Sequence, residues 1–378
     1  MEGCVMNKKE LSVFRHAMNV IEGRLNIGEF ALLVGKSYRQ ARRIIKKVKQ
    51  RAEFGCIHGN VGKTPPNKTS SYLIEEVLEL KQGAYKNFNL IHFLETIRER
   101  EGIQISYPTL YREARKRGLI KSPRRRRPKV HSPRPRLPRE GMLVQFDGSE
   151  HMWFGGIVSD LIAAIDDATG KILAAEFFIG ETSLHSMKVI QSIVEEHGTP
   201  EAFYMDEAAI FGKRDRDWNS QIARALESLN IKLILAGSPQ AKGRVERLFR
   251  TLQDRLIAEL EFVQIRSIPE ANKYLKEIFI PKFNERFSHA PRESKSSFGQ
   301  IQYNGLGLIF CRKEKRKIGT GNIFSYKGKK YVVQEGRDYR FRAININTHQ
   351  DMSLSYDIAG KRVAVSLLAE ENDLKLAA

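Results

Sequence analysis

The chain has 378 residues, of which 64 are Lys or Arg and 44 Asp or Glu, a net charge of +20; at roughly 100–200 residues per domain it divides into several domains. With 41% hydrophobic residues it has the material for packed cores, which excludes disorder throughout, and no apolar run reaches the ~18 residues that span a bilayer, so no membrane partner is expected. Cys4, Cys56 and Cys311 are odd in number and far apart, and the opening residues lack the apolar stretch of a secretion signal, so a cytoplasmic protein without a disulfide framework is expected.

The charge is unevenly spread. Residues 1–140 hold 31 basic and 13 acidic side chains (+18), residues 141–310 hold 19 and 23 (−4), and residues 311–378 hold 14 and 8 (+6). The two ends suit a polyanion, because neutralised phosphates release condensed counterions. The mildly acidic middle must serve another purpose.

Residues 1–58 read as three helices: Leu11–Glu22, Ile27–Val34 and Tyr38–Gln50, the last capped by Ser37 after a turn at Gly35. The third helix carries Ala41, Ile44, Ile45 and Val48 on one side and Arg39, Arg42, Arg43 and Lys46 elsewhere, with Lys47 and Lys49. A short helix, a tight glycine turn and a basic helix suggest a helix-turn-helix DNA reader. A solvated cationic helix without a target is the blander alternative. Residues 59–120 repeat the arrangement. After a Gly/Pro/Asn-rich stretch come helices at Ile74–Lys81 and Leu90–Arg100, then one opened by Ser106 that presents Tyr107, Arg112 and Arg115 and ends at Gly118.

Residues 121–140 form a linker whose first nineteen positions hold nine basic residues, five prolines and no acid. Proline keeps such a ribbon extended. Arg124, Arg125, Arg126 and Arg127 would lie along a groove or phosphate backbone, or the segment is a stiff spacer.

Apolar strands begin at Gly141. Met142–Phe146 is the first; Leu161–Ile165 and Ile172–Phe178 form a hairpin across Asp166-Asp-Ala-Thr-Gly. A helix (Leu184–His197), a strand (Ala202–Met205), a helix (Ser220–Leu229), a strand (Ile231–Leu235) and a long helix (Arg244–Glu261) follow, a mixed α/β domain over residues 141–300. Residues 301–378 read as a charged connector, Arg312–Lys317, and a small basic β-barrel of short strands.

Three acids of the middle domain stand where chemistry can use them. Asp147 follows the first strand, Asp206 the fourth, and Glu246 opens the long helix. Strands one and four can lie side by side in a mixed sheet, which brings acids at their matching ends together. Clustered carboxylates repel one another, and a hard divalent cation removes that cost. Two ions ~3.5–4 Å apart suit in-line displacement at phosphorus. Asp166 and Asp167 are a rival pair, although their setting is also what a hairpin turn wants. Lys242, Arg244, Arg247 and Arg250 cluster around Glu246 and would hold a DNA backbone. Trp153, close after Asp147, is either a stacking group for a base or a core residue, and His151 is a second candidate for positioning the strand.

Asp147, Asp206 and Glu246, with Gly237-Ser-Pro-Gln-Ala-Lys-Gly-Arg-Val-Glu-Arg around the last and Asp-Gly-Ser-x-His-x-Trp-Phe after the first, resemble the DDE catalytic domain of retroviral integrases and insertion-sequence transposases. The second run is similar to the ISNCY-type group of bacterial transposases. The resemblance implies a multidomain protein with N-terminal all-α helix-turn-helix units, a central α/β RNase H-like core and a C-terminal small β-barrel. It also implies a nucleoid-associated enzyme with two Mg²⁺ ions held by Asp147, Asp206 and Glu246, Mn²⁺ substituting. Such an enzyme binds terminal inverted repeats, frees 3′-OH ends by hydrolysis and joins them to target DNA by transesterification. It acts as a dimer or higher homo-oligomer on paired ends. The His-His-Cys-Cys zinc site of retroviral integrases has no match in spacing here. Two other functions are compatible with the residues: a DNA-binding repressor with an inactive core, and an RNase H-like nuclease that cuts without joining.

Overall fold

The computed structural model describes residues 6–57, 60, 61, 64–66, 68–120, 134–206, 218–236, 243–301, 305–334 and 336–368. Contacts divide the chain into two units, residues 1–73 and 74–378.

In the first unit, α1 (Lys8–Ile21), α2 (Ile27–Leu33) and α3 (Tyr38–Arg51) each begin with a reciprocal cap: Asn7 with Glu10, Asn26 with Glu29, and Ser37 with Gln40. The first cap explains why α1 starts three residues earlier than its apolar pattern suggests. Ala17, Phe30, Ala41, Ile45 and Val48 are buried together at the centre. Gly35 turns the chain between α2 and α3 with φ +63°, a backbone that glycine adopts without strain.

The second unit contains α4 (Ser71–Gln82; its first turn is grouped with the first unit), α5 (Leu90–Arg100) and α6 (Tyr107–Lys116), followed by a five-stranded sheet. Its strands are β1 (Val144–Phe154), β2 (Ile157–Asp166), β3 (Ile172–Phe178), β4 (Ala202–Asp206) and β5 (Lys232–Ala236), in the order β3-β2-β1-β4-β5. β1, β2 and β3 are antiparallel; β4 runs parallel to β1 and β5 parallel to β4. Helices α7 (Ser183–His197) and α8 (Trp218–Glu227) cover one face, burying Val144, Phe146, Ile162, Ile190, Phe203 and Leu226. On the other face lie α9 (Gly243–Phe262), α10 (Ile268–Tyr274) and α11 (Ile280–Phe287), the last two joined by a π-turn, over Trp153, Leu161, Phe177, Leu252, Leu256 and Leu275. A sheet buried on both faces is what the continuous apolar runs of β2 and β3 require.

The C-terminal part, after the short α12 (Leu306–Ile309), departs from the expected closed barrel. Its strands β6 (Arg312–Lys317), β9 (Ala343–Thr348), β10 (Leu354–Ile358) and β11 (Lys361–Arg362) make one sheet, and β7 (Ile323–Tyr326), β8 (Lys329–Val333) and β12 (Val365–Leu367) another. Both close on Ile318, Phe324, Ile344, Ile346 and Ile358. The chain crosses between the sheets at Ile318–Asn322, between Val333 and Ala343 and again between Arg362 and Val365, and its short strands pair within one sheet only. The expected charged connector Arg312–Lys317 is itself a strand, paired with β9 at six positions. Among the described residues no helix is long and apolar enough to cross a membrane.

Candidate active site

The two central parallel strands set the level of the first two acids. Val144 pairs with Phe203 and Gln145 with Tyr204. Asp147 and Asp206 each stand three residues past the first of these pairs and two past the second, where the pairing ends, on neighbouring strands whose main chains lie about 4.8 Å apart where they pair. Asp147 is half-buried. Asp206 ends β4 opposite Ala236 of β5, the strand that precedes α9.

Glu246 sits in the first turn of α9 and is exposed. Two contacts fix that helix along β1. The Val245 N–H donates to Oε1 of Gln145 at 3.2 Å, and Gln253 Nε2 donates to Ser149 Oγ at 3.4 Å. Eight helical residues and four strand residues both advance by about 12–13 Å, so helix and strand keep step. Gln145, Asp147 and Ser149 share one face of β1 by alternation. Gln253 lies two turns past Glu246, which puts Glu246 on the flank of α9 that follows the Asp147 face. A set of carboxylates from two strand ends and a helix start suits a hard, oxygen-seeking cation. Among the described side chains no group of three His, Cys, Asp or Glu forms a ready metal cage, and of Asp206 only the backbone is described.

The rival acids have other occupations. Asp166 accepts hydrogen bonds from the Thr169 N–H and hydroxyl, each at 2.7 Å, and from the Gly141 N–H at 3.0 Å, closing the β2–β3 turn. Burial pushes its carboxyl above the usual range, against those bonds. Asp167, wholly buried, accepts from Gln145 Nε2 and Arg244 Nη1, both at 2.9 Å, from the Leu137 N–H at 3.0 Å and from Arg134.

Arg39, Arg42, Arg43 and Lys46 are exposed on α3 while Ala41, Ile45 and Val48 face inward. On α6, Tyr107, Arg112 and Arg115 are exposed, with Arg112 also bonded to Glu113 at 3.0 Å. Arg247 and Arg250 are exposed on α9. Arg244 instead turns inward to Asp167, and burial lowers its guanidinium pKa although Asp167 opposes the shift. Trp153 is fully buried against Phe177 and donates to the Ser149 carbonyl at 3.1 Å, a core residue; exposed His151 stands edge-on to it. Arg124, Arg125, Arg126, Arg127 and Lys242 lie outside the described residues.

Two features of the site region escape a local reading of the sequence. One is the chain of contacts from Asp167 through Gln145 to Val245. Its signal is a lone amide in the apolar run Leu143-Val-Gln-Phe. The other is the seating of the α4–α6 group on α9 and α11. Tyr85 stacks on Phe262 with ring centroids 4.8 Å apart, and Glu95 accepts from Arg255 at 2.6 Å and Arg286 at 2.7 Å.

No family model matches the chain. It is 31% identical to the "Putative transposase y4bF" of Sinorhizobium fredii over 339 residues, 87% of this chain and 74% of that protein. It is likewise 31% identical to the transposase for insertion sequence IS1202 of Streptococcus pneumoniae, over 81% of this chain and 74% of that protein. Among solved structures it is similar to a chain of the simian T-cell lymphotropic virus intasome in complex with PP2A regulatory subunit B56 gamma, with 13% identity, a TM-score of 0.36 and coverage of 71% of this chain and 98% of that one. It is also similar to the HTLV-2 integrase catalytic core domain in complex with magnesium, with 16% identity, a TM-score of 0.29 and coverage of 36% and 85%. With about a third of its residues shared over most of both curated relatives, the chain belongs to the transposase family.

Proposed function

We propose that this transposase cuts and joins DNA with Asp147, Asp206 and Glu246. The observation that carries the reading is the equal offset of Asp147 and Asp206 from the paired residues of neighbouring strands, beside a helix pinned to β1 at the residue preceding Glu246. These three carboxylates would hold two Mg²⁺ ions, or Mn²⁺ in their place. Bound there, paired divalent ions supply an activated attacking oxygen and stabilise the leaving one at phosphorus.

The rest of the reaction falls to the chain's own groups. Exposed Arg247 and Arg250, on the same helix as Glu246, hold the phosphate backbone beside the scissile bond. The exposed cations of α3 and the row Tyr107, Arg112 and Arg115 of α6 act as two helix-turn-helix readers of the terminal inverted repeats. Two readers on one chain raise each other's effective concentration on an extended site. The arginine-rich linker, residues 121–140, follows the DNA between readers and core. Hydrolysis first frees a 3′-OH at each end; that hydroxyl then attacks a target phosphorus, and the target strand's own 3′-oxygen leaves with the proton, so one P–O bond forms as one breaks. Two ends acting together call for a dimer or higher homo-oligomer, working on chromosomal DNA in the cytoplasm.

The test is a labelled duplex carrying a cognate end, with and without Mg²⁺. Wild type should nick it, and then join a pre-cut end to a target plasmid. Asp147→Asn, Asp206→Ala and Glu246→Gln should each abolish both steps while leaving binding of the end intact. Cutting without joining would make the protein a nuclease. Binding alone, with the variants no different from wild type, would make it a repressor.

A further inference from the structure

Asp167 is fully buried, yet it is not spent on the turn it belongs to, because Asp166 makes the bonds that close that turn. Its carboxylate collects donors from three separate stretches of chain. The linker contributes the Leu137 N–H at 3.0 Å and the Arg134 guanidinium, while the Asp167 carbonyl accepts from Arg136 at 3.0 Å. The start of α9 contributes Arg244, whose second nitrogen donates to the Arg134 carbonyl at 3.0 Å. β1 contributes Gln145, two residues before Asp147.

Gln145 carries the consequence toward the site. Its amide has one donor end and one acceptor end, and which way it points is set by its partners. A carboxylate only accepts, so Asp167 takes the Gln145 NH₂ and leaves the Gln145 oxygen aimed at the Val245 N–H, 3.2 Å away. Asp167 thereby orients the amide that ties β1 to α9 between Asp147 and Glu246. Arg244 anchors the other side of Val245 to the same carboxylate. Arg134 of the linker, Arg244 of α9 and Gln145 of β1 thus meet at one buried carboxylate.

We infer that Asp167 is a positioning residue: it seats linker residues 134–137 and sets the separation of Asp147 and Glu246 through Gln145 and Arg244. The inference rests on the reading of Asp147, Asp206 and Glu246 as cation ligands. It assigns Asp167 no contact with the cation or with DNA.

The experiment uses full-length chains: wild type, Asp167→Asn, Gln145→Leu and Glu246→Gln. Mn²⁺ binding is measured by electron paramagnetic resonance without DNA, and linker seating by the rate of tryptic cleavage after Arg136. The bond after Arg134 precedes a proline and resists trypsin, and mass spectrometry of the fragment that begins at Leu137 separates the cut after Arg136 from cuts at neighbouring sites such as Lys129 and Arg139. Groups that orient metal ligands from behind typically change affinity by about 10–100-fold. Asp167→Asn removes the charge that Arg134 and Arg244 pair with and sets an NH₂ against either the Leu137 N–H or the Gln145 NH₂, so it should weaken Mn²⁺ binding about tenfold and hasten the cut after Arg136. Gln145→Leu should weaken Mn²⁺ to a similar degree but leave the cut at the wild-type rate, because the arginine pairs remain. A purely structural role would lower the melting temperature without moving either midpoint or bond. Wild-type Mn²⁺ affinity in both variants, with Glu246→Gln weakened, overturns this inference alone. Wild-type affinity in Glu246→Gln removes the cation reading beneath it. Should Asp167→Asn lose its cooperative melt, Gln145→Leu decides.

Discussion

His92 of α5 and Glu259 of α9 meet with 2.9 Å between Nε2 and Oε1, inside the contact that seats the α4–α6 group on the core. The Tyr274 hydroxyl donates to the other oxygen of Glu259 at 2.6 Å. Burial raises the Glu259 carboxyl pKa, but the bonds from His92 and Tyr274 outweigh it and hold the pKa below the usual carboxylate value. A depressed folded pKa adds stability that is full above the unfolded pKa of about 4.3 and is lost as pH falls through the folded value. The acid limb of the melting curve should therefore steepen below about pH 4. Glu259→Ala leaves two buried partners without their acceptor and should cost about 3 kcal/mol at neutral pH, with a flatter acid limb. Urea denaturation across pH reads both effects. An unchanged midpoint would mean that the contact contributes nothing to stability.

Gly198 ends α7 with φ +97°, and a Cβ there would stand 2.3 Å from the Gly299 carbonyl oxygen. The approach is enforced by paired bonds between Thr199 and Gly299, at 3.0 and 2.8 Å, which tie the segment after α11 to the turn before β4. Alanine at 198 meets both a disfavoured backbone and a fixed carbonyl. Gly198→Ala should destabilise the second unit by about 3 kcal/mol or more, visible as a lower urea midpoint with unchanged slope. A variant as stable as wild type would show that residue 299 yields freely.

Much of this architecture was legible because its signals are local. Ser37 with Gln40, the alternation of Ala41, Ile45 and Val48 with arginines, and the Asp-Asp-Ala-Thr-Gly turn each lie within a few residues of the element they specify. The neighbouring placement of strands one and four also followed from the pattern. The apolar run that predicts β1 stops at Phe146 because Gly148–His151 is polar, although the strand runs on to bring Trp153 into the core. Arg312–Lys317 has no apolar alternation, and pairing with β9 alone makes it a strand. No element is predicted from the sequence between the long helix and residue 300, where α10 and α11 lie. The Asp167 contacts join residues 22 to 77 positions apart, and the seating of α5 joins residues more than 150 apart. Separations of that size leave no trace in a local window.

Ser37 Oγ accepts the Gln40 N–H at 3.3 Å, and the Gln40 side chain returns a bond to the Ser37 N–H at 3.1 Å. The helix they start carries Arg39, Arg42, Arg43 and Lys46. Ser37→Ala should cost about 1 kcal/mol and increase hydrogen exchange in the first turn of α3. DNA affinity should fall only as far as that turn frays. Unchanged exchange there would show that packing, and not the cap, fixes the start of the helix.

Three arginines of α9 that look alike in the sequence should part company on substitution. Arg247 and Arg250 are exposed, whereas the Arg244 side chain is 16% exposed and bonded to wholly buried Asp167. Arg247→Ala and Arg250→Ala should leave the melting temperature within a degree or so, in line with other surface changes. Each should weaken binding evenly across DNA sequences and reduce the slope of log K against log salt by about 0.9 per lost phosphate contact. Arg244→Ala should instead cost about 2 kcal/mol, because Asp167 keeps Arg134 but loses one charged donor. Fluorescence anisotropy over a range of salt concentrations, beside thermal melts, separates the two behaviours. A wild-type salt slope in both exposed variants would remove α9 from the DNA path and leave Glu246 to meet its substrate without flanking cations.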